Sequence, residues 1–430
     1  MTSILQAFSC ADDYDPNSLP VDRARELILG LLQPVVGHER VFVRQALDRV
    51  LSEDVISPID VPAHDNSAMD GWAVRFGDLA ASDDTRLRNI GTAFAGRAFA
   101  GRVGAGETVR IMTGGVLPEG ADCVVIQEVT KVEGDAVIIP PGQRKEQNLR
   151  RAGEDLQAGR PAIPAGKKLR PAEIGIVASL GIGEVSVRRR VRVAIFSTGD
   201  ELCSIGTPLA EGAVYDSNRY TLWGMLTRLG CEVIDMGVVR DDPAALEAAF
   251  REAAACSDAI ITSGGVSVGE ADFIKQLMAQ LGEVAFWKIA MKPGRPMAFG
   301  RIGKTQPDGA DGPGAWLFGL PGNPVAVMVT FYQFVQPAIM KLSGIDPVRP
   351  VPGFPARCVE PMRKGRGRTE FQRGILSREN GEWCVRPTGA QGSGVLRSMA
   401  DADCFIVLEH ERGSVAAGET VMVQLMNGLV

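Results

Sequence analysis

This chain of 430 residues is short of several things, and each shortage closes off a class of function. Aromatic residues make up only 6%, and the three histidines (His38, His64, His410) are too far apart in sequence for a helical metal motif, although folding could bring two together. The eight cysteines (Cys10, Cys123, Cys203, Cys231, Cys256, Cys358, Cys384, Cys404) contain no C-x-x-C pair. They read as reduced, mostly buried thiols rather than a zinc set. Positive charge is not in excess. The formal net charge of −6 argues against a surface built as a whole for nucleic acid, which needs a basic face, although local basic patches stay open. No stretch reaches the ~20 apolar residues that span a bilayer, and the start at Met1-Thr2-Ser3-Ile4 lacks a basic region followed by a long apolar run. The expectation is a cytoplasmic protein with neither a membrane nor a nucleic-acid partner.

What the chain does have is 50 glycines and 26 prolines within an ordinary globular composition of 45% hydrophobic and 23% charged residues. That combination points to roughly two to four domains, with β-rich modules beside any α/β core. Helical patterning spans about 15–51: an amphipathic stretch begins at Val21, and a second helix is expected over 46–51. From about Ser57 to Pro164, short apolar runs alternate with glycines, as in a small all-β module. A helix is expected from Pro171 to about Leu180, ended by Gly181 and Gly183.

Between 190 and 342, strand, glycine-rich loop and helix recur in order. Strands are expected at 192–196, 232–236, 259–262 and 284–287, with helices at 217–229, after Asp242-Pro243, and at 273–281. This is the pattern of a doubly wound α/β domain, whose ligands bind beyond the carboxyl ends of its strands. From Pro350 to Val430, short alternating runs with glycines between them suggest a separate β-barrel or sandwich.

The loop after the third strand, Ser263-Gly264-Gly265-Val266-Ser267-Val268-Gly269, has glycines that let backbone N–H groups converge on an anion. It has neither the Lys-Ser/Thr of a nucleotide P-loop nor the dinucleotide spacing, and a plain tight turn is the alternative. Pro321-Gly322-Asn323-Pro324 is either a ligand-facing loop or a strand-to-helix turn. Carboxylates recur at strand ends: Asp200 and Glu201, Asp241 and Asp242, then Asp272. Singly they read as helix caps or solvated residues, Asp242 above all; together they would suit a hard cation such as magnesium. Lys288 and Lys292 could hold anionic oxygens or simply be solvated. Arg363, Lys364, Arg366, Arg368 and Arg373 crowd into eleven residues, and a site for small anions or a set of solvated turns ranks above a nucleic-acid patch.

Four blocks in order, Asp65-Asn66-Ser67-Ala68-Met69-Asp70-Gly71, Ser197-Thr198-Gly199-Asp200-Glu201-Leu202, the Ser263 loop, and Gly319-Leu320-Pro321-Gly322-Asn323-Pro324, resemble the molybdopterin molybdenumtransferase family, which includes bacterial MoeA and the E domain of gephyrin. The resemblance runs from about Leu19 to Val423. It implies an α/β fold with added β-rich modules: a split helical region (15–56 and 155–189), a β-rich insertion (57–154), a doubly wound α/β molybdopterin-binding domain (190–345) and a C-terminal β-barrel (346–430), working as a homodimer. It implies insertion of molybdate into adenylylated molybdopterin, with AMP released and Mg²⁺ assisting.

By the same resemblance Glu201, Asp241 and Asp272 line the cation and substrate cleft, and Asp70 and Asp155 join as catalytic carboxylates in a cleft spanning two subunits. Substrate contacts fall to Ser197, Thr198, Gly264, Gly265, Ser267, Lys288, Lys292, Pro321 and Asn323. Arg373 and Ser393 reach towards the partner's cleft. Partners implied are the preceding adenylyltransferase and recipient apo-molybdoenzymes. Trp72 stands where many relatives carry tyrosine. An adenylyltransferase, whose single domain is similar to 190–342, and a non-enzymatic scaffold are the competing readings.

Overall fold

A computed structural model describes residues 19–264, 271–305 and 311–426. The chain divides into two units, one comprising Met1–Glu39, Asp48–Ser52 and Val187–Val430, the other Arg40–Leu47 and Glu53–Ser186.

The smaller unit carries a six-stranded sheet in the spatial order Cys123–Ile126, Gly71–Val74, Glu107–Ile111, Thr85–Ala93, Ala136–Ile139, Lys131–Glu133. Side chains alternate across it as the two-residue period requires. Trp72 and Val74 enter one core with Cys123 and Val125, whereas Ala73 enters the other with Val109 and Ile111. The Trp72 indole N–H donates to Thr130 Oγ1 at 3.1 Å, so this buried ring is satisfied at its polar edge. The unit's helix, Pro171–Ser179, starts with proline at its first position, and the Glu173 carboxylate accepts the Arg170 backbone N–H at 3.0 Å.

The helix expected over 46–51 does not form. Asp48 takes φ +62°, which breaks a right-handed helix, and Leu51 instead bridges antiparallel to Val187. Tertiary pairing has overridden a short local pattern.

In the larger unit the α/β domain runs β1 (Arg192–Thr198), α1 (Ser217–Arg228), β2 (Glu232–Val239), α2 (Pro243–Cys256), β3 (Ala259–Ser263), α3 (Ala271–Leu281), β4 (Gly282–Lys288), β5 (Pro296–Thr305), β6 (Asp311–Leu320). The sheet order is β2-β1-β3-β6-β5-β4. The first four strands are parallel, and β5 and β4 add antiparallel at one edge. Both faces of β1 are covered. Val193 and Ile195 pack with Leu222 and Val325, while Ala194 and Phe196 pack with Leu246, Phe250 and Leu281. This two-sided burial makes the domain doubly wound.

The strand expected at 284–287 is therefore the outer antiparallel strand, and β6 is the fourth parallel one. The reason is burial: Ala315, Leu317, Phe318 and Leu320 are all buried, while most of β4 is only partly so.

After β6 the helical stretch Pro324–Leu342 is long and apolar enough to cross a membrane by composition, yet it is mostly buried as a core helix. It widens to a π turn at Phe331–Val335 just before Pro337, which has no N–H to offer the Gln333 carbonyl. Arg25 Nε donates to that carbonyl instead, at 3.1 Å.

Five strands, Thr369–Glu379, Glu382–Pro387, Gly353–Cys358, Thr420–Leu425 and Cys404–Leu408, pair in that order, and the last returns to the first to close a barrel. The short strand Met291–Lys292 pairs parallel with Thr369 and Glu370, attaching the barrel to the α/β domain.

Candidate active site

Thr198, Ser263 and Leu320 end three adjacent parallel strands, so the loops that follow gather at one edge of the sheet. A cleft of about 940 Å³ opens there, lined by Thr198, Glu201, Asp216, Asn218, Asp241, Gly264, Lys292, Arg295, Pro321, Asn323, Arg368, Gln391 and Ser393 among others.

Glycine shapes its floor. Gly264 has φ +92°, and a Cβ there would stand 2.3 Å from the Thr198 carbonyl oxygen, so a side chain is excluded on both counts.

Asp216 caps α1 by accepting the Arg219 N–H at 3.2 Å, and it also receives Ser197 Oγ at 3.0 Å and Arg219 Nε at 3.0 Å. Arg219 goes on to pair with Asp235, whose Oδ1 accepts the Gly237 N–H at 3.0 Å. Gly237, at φ +80°, sits where the β1–β2 register shifts just before Asp241. An ion-pair chain, buried at Asp216 and Arg219 and exposed at Asp235, thus ties the wall of the cleft to the strand that delivers a cleft carboxylate.

Asn218 Nδ2 donates to Ser263 Oγ at 2.8 Å and to the Gly322 carbonyl at 2.7 Å, clamping two of the strand-end loops together. Two acceptors for one amide nitrogen fix its orientation. Among the described residues Asn218 Oδ1 and Thr198 Oγ1 are buried without a hydrogen-bond partner, an arrangement that suits a polar ligand.

Of the residues singled out from sequence, Thr198, Glu201, Asp241, Gly264, Lys292, Pro321, Asn323 and Ser393 share this cleft. Ser393 lines the cleft of its own chain. Ser197 is buried behind it, occupied with Asp216. Lys288 is half-buried and is not in the lining. Gly265 and Ser267 lie outside the described residues, as does the side chain of Asp272, whose backbone is in the first turn of α3.

Arg373 lies elsewhere. It lines a second pocket of about 270 Å³ with Lys292, Arg363 and Glu370. Arg373 is 1% exposed, its guanidinium donates to Ser398 Oγ at 3.0 Å and the Gly392 carbonyl at 3.2 Å, and burial pushes its pKa down to about 10. Lys292 Nζ is 3.5 Å from the buried Glu370 carboxylate.

Asp70 and Asp155 are in the smaller unit. Asp70 Oδ1 accepts the Thr113 backbone N–H at 2.7 Å and its hydroxyl at 2.8 Å, and these bonds hold the carboxyl below its ordinary range. The Asp155 backbone N–H donates to the Val61 carbonyl at 3.0 Å.

Among the described residues no group of three or more histidine, cysteine, aspartate or glutamate side chains is gathered as a complete metal cage. Glu201 and Asp241 in one cleft nevertheless fit magnesium, which commonly takes one or two carboxylates and fills its sphere with water and substrate phosphate. Asp216, Asn218 and Gln391 were missed as site residues from sequence, and Arg368 was singled out only as one member of the basic run. The Asp216 N-cap at the head of α1 and the place of Arg368 in the basic run were the available signals.

Three family descriptions match in order: the MoeA N-terminal region (domain I and II) over 19–181, a probable molybdopterin binding domain over 194–341, and the MoeA C-terminal region (domain IV) over 355–426. A molybdopterin molybdenumtransferase from Haemophilus influenzae is 45% identical over 414 residues, covering 96% of this chain and all of that protein. One from a Nostoc species is 37% identical over 390 residues, covering 90% and 88%. The crystal structure of the molybdopterin biosynthesis moeA protein from Pyrococcus horikoshii OT3 superposes with TM-score 0.77 at 28% identity, covering 95% of this chain and 100% of the other. With the block order, the fold and these likenesses in agreement, the chain belongs to the molybdopterin molybdenumtransferase family.

Proposed function

We propose that this enzyme is a molybdopterin molybdenumtransferase, transferring molybdenum from molybdate to the dithiolene sulfurs of adenylylated molybdopterin with release of AMP. The observation that carries the reading is the strand-end cleft, whose lining brings together the carboxylates Glu201 and Asp241 and cations from two domains, Lys292 and Arg368. Molybdate and the substrate's phosphates are all anions. A site that holds them together needs fixed positive charge and backbone donors to limit their repulsion.

Lys292 lines both pockets and supplies charge there, Asn218 and Thr198 offer polar atoms that are unpaired among the described residues, and the Gly264 turn brings backbone close to the ligand. Glu201, Asp241 and Asp272 would hold magnesium, which when bound offsets the charge of the departing AMP phosphate. The cytoplasm is the expected compartment. We further propose a homodimer in which Asp70 and Asp155 from one subunit serve the Glu201–Asp241 cleft of the other. It would receive substrate from the preceding adenylyltransferase and pass product to apo-molybdoenzymes.

The test is AMP release from adenylylated molybdopterin by the purified protein with magnesium, with and without molybdate, beside transfer of active cofactor to an apo-molybdoenzyme. Molybdate-dependent release with transfer is expected. Consumption of nucleoside triphosphate with pyrophosphate release would favour the adenylyltransferase. A folded protein that binds the pterin but releases nothing would be a scaffold.

A further inference from the structure

Two aspartates follow β2 side by side, and the fold gives them different tasks. Asp241 lines the cleft, whereas Asp242 caps α2 by accepting the Ala245 N–H at 2.9 Å. A slip of one position in β2 would move every residue after it by one place and bring Asp242 to where Asp241 stands. A bulge sets the position. Between the pairs Ile195–Asp235 and Ser197–Val238, β2 spends one residue more than β1, and Gly237 lies in that extra step at φ +80°.

β2 stands at the edge of the sheet, paired with β1 on one side. Side chains hold its bulge as well. Asp235 Oδ1 accepts the Gly237 N–H at 3.0 Å, and Arg219 Nη1 donates to both oxygens of that carboxylate, at 2.7 Å and 2.6 Å. Arg219 is buried and is fixed in turn by Asp216, which accepts its Nε at 3.0 Å at the head of α1. The next residue back, Asn218, holds Ser263 and Gly322 at the neighbouring strand ends. At the far end of the link the Asp241 N–H donates to Asp200 Oδ1 at 3.4 Å, one residue from Glu201.

We propose that Arg219 is a positioning residue for the reaction: acting through Asp235, it fixes the Gly237 bulge and so delivers the carboxylate of Asp241, rather than that of Asp242, to the cleft. The assignment rests on the reading above in which Asp241 helps to hold magnesium. Groups that orient a metal ligand set the metal's affinity, commonly by about tenfold to a hundredfold, whereas an ion pair that only staples strands contributes stability. The same domain supplies the comparison. Arg189 donates to both oxygens of Asp258 at 2.7 Å and 2.8 Å, and Asp258 accepts the Arg192 N–H at 2.9 Å, at the opposite end of β1 from Thr198 and the cleft.

The experiment titrates Mn²⁺ into the full chain with AMP present, reading free Mn²⁺ by electron paramagnetic resonance, beside the Mg²⁺ dependence of AMP release and thermal unfolding. The proteins are the unaltered chain, Asp235→Ala, Asp235→Asn, Arg219→Lys, Asp241→Asn and Arg189→Ala. Asp235→Ala, which leaves Arg219 paired with Asp216, should weaken Mn²⁺ binding and raise the half-activating Mg²⁺ concentration about tenfold or more. KM for adenylylated molybdopterin at saturating Mg²⁺ should stay within about threefold. Asp235→Asn, whose amide oxygen still accepts the Gly237 N–H, and Arg219→Lys should fall between. Arg189→Ala should lower the unfolding temperature and leave metal affinity unaltered. Unchanged Mn²⁺ affinity in a folded Asp235→Ala protein overturns the positioning role, and so does an equal loss in Arg189→Ala, which would reduce the effect to stability. Unchanged affinity in Asp241→Asn instead removes Asp241 from the metal and overturns the reading beneath the proposal, which separates the two failures.

Discussion

Gly264 illustrates how one missing side chain can set a site. Its φ of +92° and the 2.3 Å approach to the Thr198 carbonyl leave no room for even a methyl group. Gly264→Ala should cost about 1–3 kcal/mol of stability and remove most of the activity, measured by urea unfolding and AMP release. An alanine variant with unaltered activity would show that the turn does not shape the cleft. The two lysines singled out together from sequence part company in the fold. Lys292 lines both pockets, whereas Lys288 is outside the cleft lining. Lys292→Ala should therefore raise the substrate KM about tenfold or more, and Lys288→Ala less, in side-by-side kinetics. The reverse order would place Lys288 at the substrate in the working assembly.

At the scale of elements, helices and strands are fixed by a few satisfied ends and faces. The Pro171–Ser179 helix depends on Glu173, which is paired first with the Arg170 guanidinium and also with its backbone N–H, so its pKa is held down at about 2 against an ordinary 4.5. A depressed carboxylate stabilises the fold fully above its ordinary pKa and loses that contribution as pH falls towards the folded value. Amide hydrogen exchange in this helix should therefore accelerate between pH 4.5 and about 2, after correction for intrinsic rates. Glu173→Gln should flatten that dependence, and an equally steep profile in the variant would assign it to other groups. The strands of the α/β domain were legible because a strand buried on both faces, such as β1, reads as a short continuous apolar run, and because Asp242-Pro243 marks a helix start. The 46–51 segment misled because six residues carry too little periodicity to outweigh a positive φ at Asp48 and the Leu51–Val187 bridge.

For the whole molecule, the proposal of a site shared between subunits has a distinctive consequence. Asp70→Asn and Asp241→Asn lie in different units of the chain, and each should be inactive as a homodimer. Dissociated together and reassociated, they should recover about one quarter of full activity, because half of the random dimers carry one intact site of two. No recovery, with mixed dimers shown to form, would mean that each subunit builds its site alone. The barrel adds a second whole-molecule lesson. It delivers Arg368 and Ser393 to a cleft whose floor is formed some 100 residues or more earlier in the chain.

By itself the sequence determined the α/β core, the barrel and insertion modules, and the family. Those rest on local periodicity, glycines at turns and four ordered blocks, all of which are written along the chain. Only the tertiary structure decided that β4 is an antiparallel edge strand, that Ser197 is committed to Asp216, that Arg373 is buried in a separate pocket, and that Arg368 rather than its basic neighbours enters the cleft. Each of these turns on which of several similar residues is buried and what it meets there. That outcome is set by packing between segments distant in sequence, to which spacing along the chain is blind.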